Sequence, residues 1–554
     1  MSRIRNWLKT PVFVIFLCAF FLTSVMGFLT IRIEHAYFEN YSYFYDPISY
    51  SLQNARLHLR VANEGRLALA IQEWLGNGRH PLRTVPLILF APSLLASNVG
   101  HVATALPMLF IFLGLLGWTV HRRTGCTPYA IACMFLFCAT PVMFHPRLGL
   151  GAYWLDLPAA FLVGGAVLCL LNSSGAQSLK WLVAFAILGS FAALSRYIAA
   201  AYAVFICVPV LAIYLIQRWR RQGDPVKTIL LPLGVIGVTA GLLAGYFLMA
   251  HFKSNLEYYT VYGYALKQDL VSSANFVIHF LVDYLFGLPG ALMLCTICGI
   301  NLVWFRKDIT HNWKSLVISL WCASAVILFL VVVLRVGEGG QSTMYALPLL
   351  FFAAVSPVAI SQQGSSGRVL SQLSVILIAI ALLVGGRAAV DNYQLATHPS
   401  PKDRYLKTLD VALATELSQQ GNLVVWCTYF DEYTYIPTME TFYRYGKLPS
   451  PANDLFTVHE AYWLGFYPNL PENKLTERVY ADTTKRADIA VVFDDPTRAD
   501  KNKNTQWQAA PSQKSRLVAK YVAEQIRNDP NWKQIFVLES PHYGNLAGYR
   551  NLTK

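Results

Sequence analysis

Charge is scarce in this chain. Asp, Glu, Lys and Arg make up 14% of its 554 residues, against about a quarter in soluble globular proteins, which excludes an ordinary soluble fold. Phosphate-cradling patterns are missing: there is no GxGxxG and no P-loop, which argues against a nucleotide site. No HExxH, zinc-finger spacing or EF-hand loop occurs, so no ready-made zinc or calcium site is offered. Cys427 is the only cysteine beyond residue 391, and a disulfide framework is ruled out there. Most other cysteines fall in or beside apolar runs, where a thiol behaves as a small hydrophobe. Cys295 and Cys298 form a CxxC inside such a run, without the second pair that a metal site would need. There is no internal repeat and no arrangement of a nucleophile with its base.

What the chain has in abundance is apolar sequence. Hydrophobic residues make up 55%, and a spanning helix needs roughly 20 of them in a row. Eleven stretches before residue 391 qualify or nearly do: 11–31, 101–120, 126–144, 155–171, 181–195, 198–216, 229–250, 280–304, 315–334, 343–360 and 369–390. The short pair 181–195 and 198–216 is compatible with two spans or with one re-entrant element. The first stretch follows Arg3, Arg5 and Lys9 like a signal peptide, but it is too long for an h-region and lacks an A-x-A exit, so it reads as a retained span.

The net charge of +14 is unevenly placed. Residues 1–399 hold 26 Lys and Arg against 13 Asp and Glu, whereas 400–554 hold 19 against 18. The excess clusters in alternate loops: the N-terminus, Arg122 and Arg123, Lys180, Arg218 to Lys227, Arg306 to Lys314, and Arg368. The positive-inside rule makes these loops cytoplasmic, and an odd span count places the C-terminal region outside. Most acids of the membrane part, including Glu34, Asp46, Asp156 and Glu338, then share the outer side. Nucleic acid is not needed to explain the basic balance.

Residues 32–100 form a long first outer loop. Its SLQNARLHLRVANEGRLALAIQEWLG segment is amphipathic and reads as interfacial helix. The apolar run 81–98 is short and broken by three prolines, which makes it interfacial or re-entrant. A second outer loop, 251–275, is rich in tyrosine, as expected either of an aromatic belt or of a flap over a sugar or lipid head. After residue 391 helix and strand patterns alternate: a helix over 402–420, strands in NLVVWCTYF, ADIAVVFDDP and WKQIFVLES, and a helix in SRLVAKYVAEQIR. The fold class is thus a polytopic helical membrane protein of about eleven spans, residues 1–395, with a small soluble α/β domain, 396–554.

The outer face offers carboxylates and a few basic groups. Asp46 precedes Pro47 and suits a helix N-cap; the same geometry can fix a carboxylate that accepts a proton from an acceptor hydroxyl. Asp156 opens a span and is open to the same two readings. Arg79 with His80, Arg196, and Arg335 with Glu338 bring guanidinium groups to that side. One arginine at an interface commonly snorkels; three on one face suit phosphate oxygens. His101 and His145 read as interfacial polar residues rather than ligands. A divalent metal between Asp46 and Asp156 is chemically allowed, and nothing in the spacing requires one.

In order and local pattern, YDPISYSLQNARL, RHPLRTVP, GAYWLDLPAAFLVGG, GSFAALSRY and QSTMYALPLLFFAAV resemble the GT-C glycosyltransferase superfamily. The likeness is to its branch with the lipid A aminoarabinose transferases and relatives of the protein O-mannosyltransferases. It covers most of residues 1–400. It implies Asp46 as the first-loop acid, Asp156 as the second, Arg79 or His80 in place of a lysine, and Arg196 at a phosphate-contacting lysine. Tyr345 is retained, while Met344 replaces an arginine and the first loop has one acid, not a pair. The implied function is transfer of a sugar from a polyprenyl-phosphate donor to an extracytoplasmic glycan, lipid or protein acceptor, in a bacterial inner membrane. Asp46 and Asp156 would be catalytic; Arg79, His80, Arg196, Arg335, Glu338 and Tyr345 would bind substrate. The rivals are a transporter or flippase of lipid-linked substrates, which would place charge near mid-bilayer, and an O-antigen ligase or polymerase-type transferase, which would place its large outer loop between late spans.

Overall fold

A computed structural model describes residues 10–41, 53–76, 82–95, 97–152, 155–253, 268–304, 306, 312–336, 340–357 and 366–420. In the tail it describes 425–427, 440, 444–445, several positions between 474 and 485, 487–493, 520–538 and 546–553. Among these residues seven helices are long and apolar enough to cross a bilayer, and four shorter apolar helices accompany them. The eleven fall on the eleven expected stretches. In hydrocarbon a backbone must satisfy its own hydrogen bonds, so a long apolar run has no alternative to helix. The protein is an integral membrane protein.

The chain divides into two compact units. One comprises Met1–Glu34, Arg66–Leu94 and Asn98–Gln394; the other comprises His35–Gly65, Leu95–Ser97 and Leu395–Lys554. Residues 35–65 thus group with the tail, whereas the sequence led us to place the whole first loop with the spans. The contacts explain this. The Tyr41 hydroxyl donates to the Leu395 carbonyl at 2.6 Å, and the Lys407 ammonium lies 4.3 Å over the Phe38 ring.

Helix α1 (Pro11–Asn40), which belongs to the membrane unit as far as Glu34, opens on a proline, which needs no hydrogen-bond partner for its missing N–H. The amphipathic segment of the first loop forms helices, as expected. Residues 53–63 are helical, and α2 (Leu67–Gly76) begins after Gly65, whose φ is +66°. The proline-broken run 81–98 yields only short turns and one six-residue helix, Val85–Phe90.

Helices α3 (Asn98–Thr124), α4 (Thr127–Cys138) and α5 (Asp156–Asn172) follow. Then come α6 (Leu179–Ser195) and α7 (Tyr197–Gln222). This pair is two antiparallel helices, not a re-entrant loop. Arg218 near the end of α7 donates to the Ala176 carbonyl just before α6, at 2.7 Å, while at the far end only Arg196 separates them. Helix α7 stops at Gly223 in the left-handed conformation, with Arg220 and Arg221 in its last turn, where cations favour the helix dipole.

Helices α8 (Val226–Lys253), α9 (Leu270–Phe280, continued as a π-turn to Phe286), α10 (Gly287–Trp304) and α11 (Trp313–Leu328) come next. The membrane unit closes with α12 (Ala346–Val355) and most of α13 (Ser366–Thr397). Helix α9 starts on an Asp269 cap whose side chain accepts from the Val271 and Ser272 amides. The Ser272 hydroxyl and these amides hold the Asp269 carboxyl below its ordinary range.

Helix α5 is buried along nearly its whole length and forms the centre of the bundle. Gly164 lets it approach its neighbours: a Cβ there would sit 2.7 Å from Pro348 and 2.9 Å from the Phe112 ring. Gly164→Val should therefore destabilise the bundle by about 1–3 kcal/mol through overpacking, read as a lowered melting temperature in detergent.

The bundle has one strongly basic end. Arg122 donates to the Asn172 carbonyl at 2.7 Å and to Ser174 Oγ at 3.0 Å. Arg123 donates to the Ser356 carbonyl at 2.6 Å and to Ser319 Oγ at 3.0 Å. These bonds bring the ends of α3, α5 and α12 and the start of α11 to one level.

In the second unit, helix α14 (Pro401–Gln420) leads to a mixed four-stranded sheet. Strands β1 (Val425–Cys427), β2 (Ile489–Phe493), β3 (Trp532–Leu538) and β4 (Leu546–Asn551) lie in the order β1-β2-β4-β3. β1 and β2 are parallel; β4 runs antiparallel to both its neighbours. Helix 520–528 covers the sheet through Val522, Ala523 and Ile526, packed with Val492, Trp532 and Tyr549. The strand that the sequence reading missed is β4, because LAGYRN has a glycine and two polar residues instead of an apolar run.

Candidate functional site

At the end of the bundle away from Arg122 and Arg123, three side chains from three helix ends meet. Asp156 is the first residue of α5 and is 1% exposed. Its carboxylate does not cap the helix: the N-cap is Leu155, without a side-chain bond. Instead Oδ1 faces the Arg196 Nε at 3.5 Å and accepts from the Tyr345 hydroxyl at 3.3 Å. An anion in the first turn also gains from the helix dipole.

Each partner is placed by a break in helical structure. Arg196 is a single extended residue, φ −155° and ψ 119°, closing α6 and opening α7. Its side chain is 20% exposed, so the pair lies between the bundle interior and its surface. Tyr345 ends a 3-10 turn and forms the N-cap of α12. It is fully buried, its ring stacked on Tyr202 at 4.2 Å. The Tyr202 hydroxyl donates to the Ser342 carbonyl at 3.1 Å, and its ring meets Phe329 edge-on.

Tyr202 was not singled out from sequence. The one signal for it is a tyrosine in the otherwise apolar YIAAAYAVF, six positions beyond Arg196. Met344, in place of the resembled family's arginine, is buried.

Glu34 on α1 is a second buried acid of this unit, 1% exposed. The loop leading to Asp156 passes close over it: a Cβ on Gly151 would lie 2.8 Å from Glu34 Oε2. In the same loop, His145 Nδ1 accepts from the Arg147 amide at 3.1 Å. Burial, with Arg147 adding to it, pushes His145 down to about 4, so it is neutral at neutral pH.

Of the other expected residues, Arg335 is exposed, in the left-handed conformation (φ 50°, ψ 50°) at the end of the helical run from α11. Its carbonyl accepts from the Gln268 amide at 3.1 Å. Asp46, Arg79, His80 and Glu338 lie outside the described residues, as does 254–267 of the tyrosine-rich loop. Asp156, Arg196 and Tyr345 thus come together.

Chemically, the group is an anion held by a cation and a phenol in a low-dielectric setting, where such contacts are stronger than in water. Among the described residues no three His, Cys, Asp or Glu side chains form a metal-holding group. The Arg196 guanidinium stands beside Asp156 Oδ1; the metal considered between Asp46 and Asp156 would need Asp46, which lies outside the described residues, and no step below uses one.

No protein-family model matches the sequence, and no curated protein matches it. Solved structures do. ArnT from Cupriavidus metallidurans, bound to undecaprenyl phosphate, superposes with a TM-score of 0.52 at 11% identity, over 96% of this chain and 97% of that one. The archaeal oligosaccharyltransferase AglB from Archaeoglobus fulgidus, in complex with an inhibitory peptide and a dolichol-phosphate, gives 0.47 at 12% identity, over 96% and 74%. The near-complete mutual coverage with ArnT shows that the two chains share a fold, the polytopic helical fold expected from the sequence.

Proposed function

We propose that the protein is a membrane glycosyltransferase that takes a sugar from a polyprenyl-phosphate donor and passes it to an extracytoplasmic acceptor. The observation that supports this best is the buried Asp156–Arg196–Tyr345 group at the end of the bundle opposite Arg122 and Arg123. If the basic end is cytoplasmic, as positive-inside charge bias implies, this group lies on the outer side, where a pre-activated lipid-linked donor needs no nucleoside triphosphate.

In the reaction, an acceptor hydroxyl attacks the anomeric carbon. The carbon–oxygen bond to the lipid phosphate breaks, and the electron pair leaves with that phosphate. Asp46 takes the hydroxyl proton as general base. Arg196, with Arg79 and Arg335, binds the phosphate and stabilises the charge that grows on it. A guanidinium has five donors in a fixed fork, more than one carboxylate oxygen can use, so Arg196 can hold Asp156 and a phosphate together. Tyr345 and Asp156 set the orientation of Arg196. His80, Glu338 and Tyr345 complete the substrate contacts.

The test compares wild type and Asp46→Asn in membranes supplied with a panel of radiolabelled polyprenyl-phosphate sugars. Transfer of one sugar by wild type, lost in the variant, is expected. Undiminished transfer by Asp46→Asn would remove the proposed base, and no transfer from any donor would remove the reaction.

A further inference from the structure

Helix α9 with its π-turn and helix α10 run without a gap from Leu270 to Val303, about 50 Å by helical rise. One crossing of a hydrocarbon core needs only roughly 30 Å. Gly287 breaks the run in the left-handed region, at φ +66°, and α10 alone supplies about 27 Å. The segment 270–286 is therefore surplus to the crossing.

Hydrogen bonds fix the height of both its ends. At the basic end of the bundle, Arg123 donates to Ser319 on α11 and to the Ser356 carbonyl just after α12. Asn301 on α10 donates to the Ala354 carbonyl at 3.1 Å, so Ser319 and Asn301 stand at nearly one level. From Ser319 up α11 and its π-turn to Arg335 is about 21–24 Å, and from Asn301 up α10 to Gly287 is about 21 Å. The Gln268 amide donates to the Arg335 carbonyl at 3.1 Å, which ties the start of α9 to the first height. Gly287 is at the second, where a Cβ would lie 3.4 Å from Pro141. A helix some 22–24 Å long thus has its two ends at almost the same height. It runs across the bundle, not along it.

The side chains divide accordingly. Ser273, Val277 and Phe280 are buried against the bundle. On the opposite side the exposed surface splits lengthwise. Val271 and Ile278, seven apart and so on one line, are apolar and more than half exposed. Ser272, Asn275 and His279 form the adjacent polar line and are exposed. His279 Nδ1 meets Asp283 Oδ2 at 2.6 Å, and both side chains are open to the surroundings. Exposed groups of this kind are expensive in hydrocarbon, whereas a helix in the plane of the interface can turn one line to lipid and the other to water.

We propose that residues 270–286 are an interfacial helix that binds the lipid headgroup layer at the Asp156 end of the bundle, Val271 and Ile278 facing acyl chains and Asn275 and His279 facing water. The helix also lies beside the loop that leads to Asp156, since the Tyr284 ring meets the His145 ring edge-on at 6.4 Å. It therefore sets that loop at the level of the membrane surface. The inference rests on heights and faces, and stands apart from the proposed transferase reaction.

The experiment uses the full chain in vesicles of phosphatidylcholine and phosphatidylglycerol, with a nitroxide on one unnatural amino acid at Val271, Asn275, Ile278 or His279. These side chains are exposed, so the label displaces no packing. Depth is read from relaxation by oxygen against a water-soluble nickel chelate, with labels at Leu288 and Leu292 on α10 as a ruler. Val271 and Ile278 are expected at one shallow depth, within about 3 Å, whereas a helix along the bundle would separate them by about 10 Å. Leu288 and Leu292 should differ by about 6 Å. Asn275 and His279 should be relaxed at least about fivefold more by nickel than Ile278, the contrast between the two sides of an interface. A steady change of depth from Val271 to Ile278 overturns the proposal. So does oxygen-dominated relaxation at Asn275 and His279, or equal nickel access at all four positions, which would lift the helix off the membrane. No turnover is needed, so the outcome is independent of the reaction.

Discussion

Asp156→Asn is expected to lower sugar transfer by about a hundredfold or more, the scale on which a positioned acid–base or charge partner acts, with a smaller change in the KM for donor. The reason lies in what the carboxylate does for its neighbours. Oδ1 faces Arg196 and receives the Tyr345 hydroxyl, so with Tyr345 it sets the orientation of Arg196, which is assigned to the phosphate. Asparagine keeps the shape but removes the charge and can turn its amide nitrogen towards the guanidinium, a contact between two donors.

Arg196→Lys separates charge from geometry. A lysine keeps the cation but cannot bond the carboxylate and a phosphate through one planar fork, and an intermediate loss is expected. Tyr345→Phe should fall by less than either, since it removes one neutral hydrogen bond and keeps the stack on Tyr202. Initial rates against donor concentration, for each variant and for the Asp156→Asn/Arg196→Lys pair, check this order. Full activity in Asp156→Asn would mean that the buried group is only architectural.

Lys407→Met should destabilise the C-terminal unit by about 3–5 kcal/mol, the scale of breaking a buried ion pair from one side. Lys407 Nζ lies 2.8 Å from Glu440 Oε2, and both side chains are nearly inaccessible. Arg444 also donates to Glu440, so Glu440 keeps one partner. Asp410 is fully buried nearby. Burial, opposed by Lys407 and reinforced by Glu440, raises its carboxyl well above the ordinary range.

The sign of the pH dependence follows. A raised carboxyl favours the folded state while protonated; its contribution is complete below the ordinary carboxylate range and is lost as pH rises through the raised value. Asp410→Asn keeps a neutral side chain of similar shape, so it should leave neutral-pH stability equal or higher and flatten its fall with rising pH. Lys407→Met should hurt least in acid, where Asp410 carries a proton, and most at alkaline pH, where its charge loses the opposing cation. Limited proteolysis beyond residue 395, followed with urea at several pH values, reads both effects. Equal stability of Lys407→Met and wild type at alkaline pH would refute the assigned pairing.

Hydropathy was a good guide to where helices form because a backbone in hydrocarbon leaves no other choice. It says less about where they stop or bend. The apolar run 280–304 does not show that Gly287, at φ +66° and ψ 155°, interrupts a helix that begins at Leu270. Nor does the run 181–216 decide between a re-entrant element and two helices; the bond from Arg218 to Ala176 decides it. The tail followed the same logic in reverse. Apolar strands β1 to β3 were legible, while LAGYRN finds its place only by pairing between β2 and β3.

Local composition by itself determined that this chain crosses a membrane many times, that one end of its bundle is basic, and that Asp156 and Arg196 stand at helix starts. Only the tertiary structure decided that Tyr345, 189 positions from Asp156, closes on the same carboxylate oxygen, that Tyr202 stacks beneath it, and that residues 35–65 travel with the tail. The physical reason is range: transfer into hydrocarbon acts on each segment through its own neighbours, whereas a hydrogen bond or an ion pair exists only after distant segments have packed.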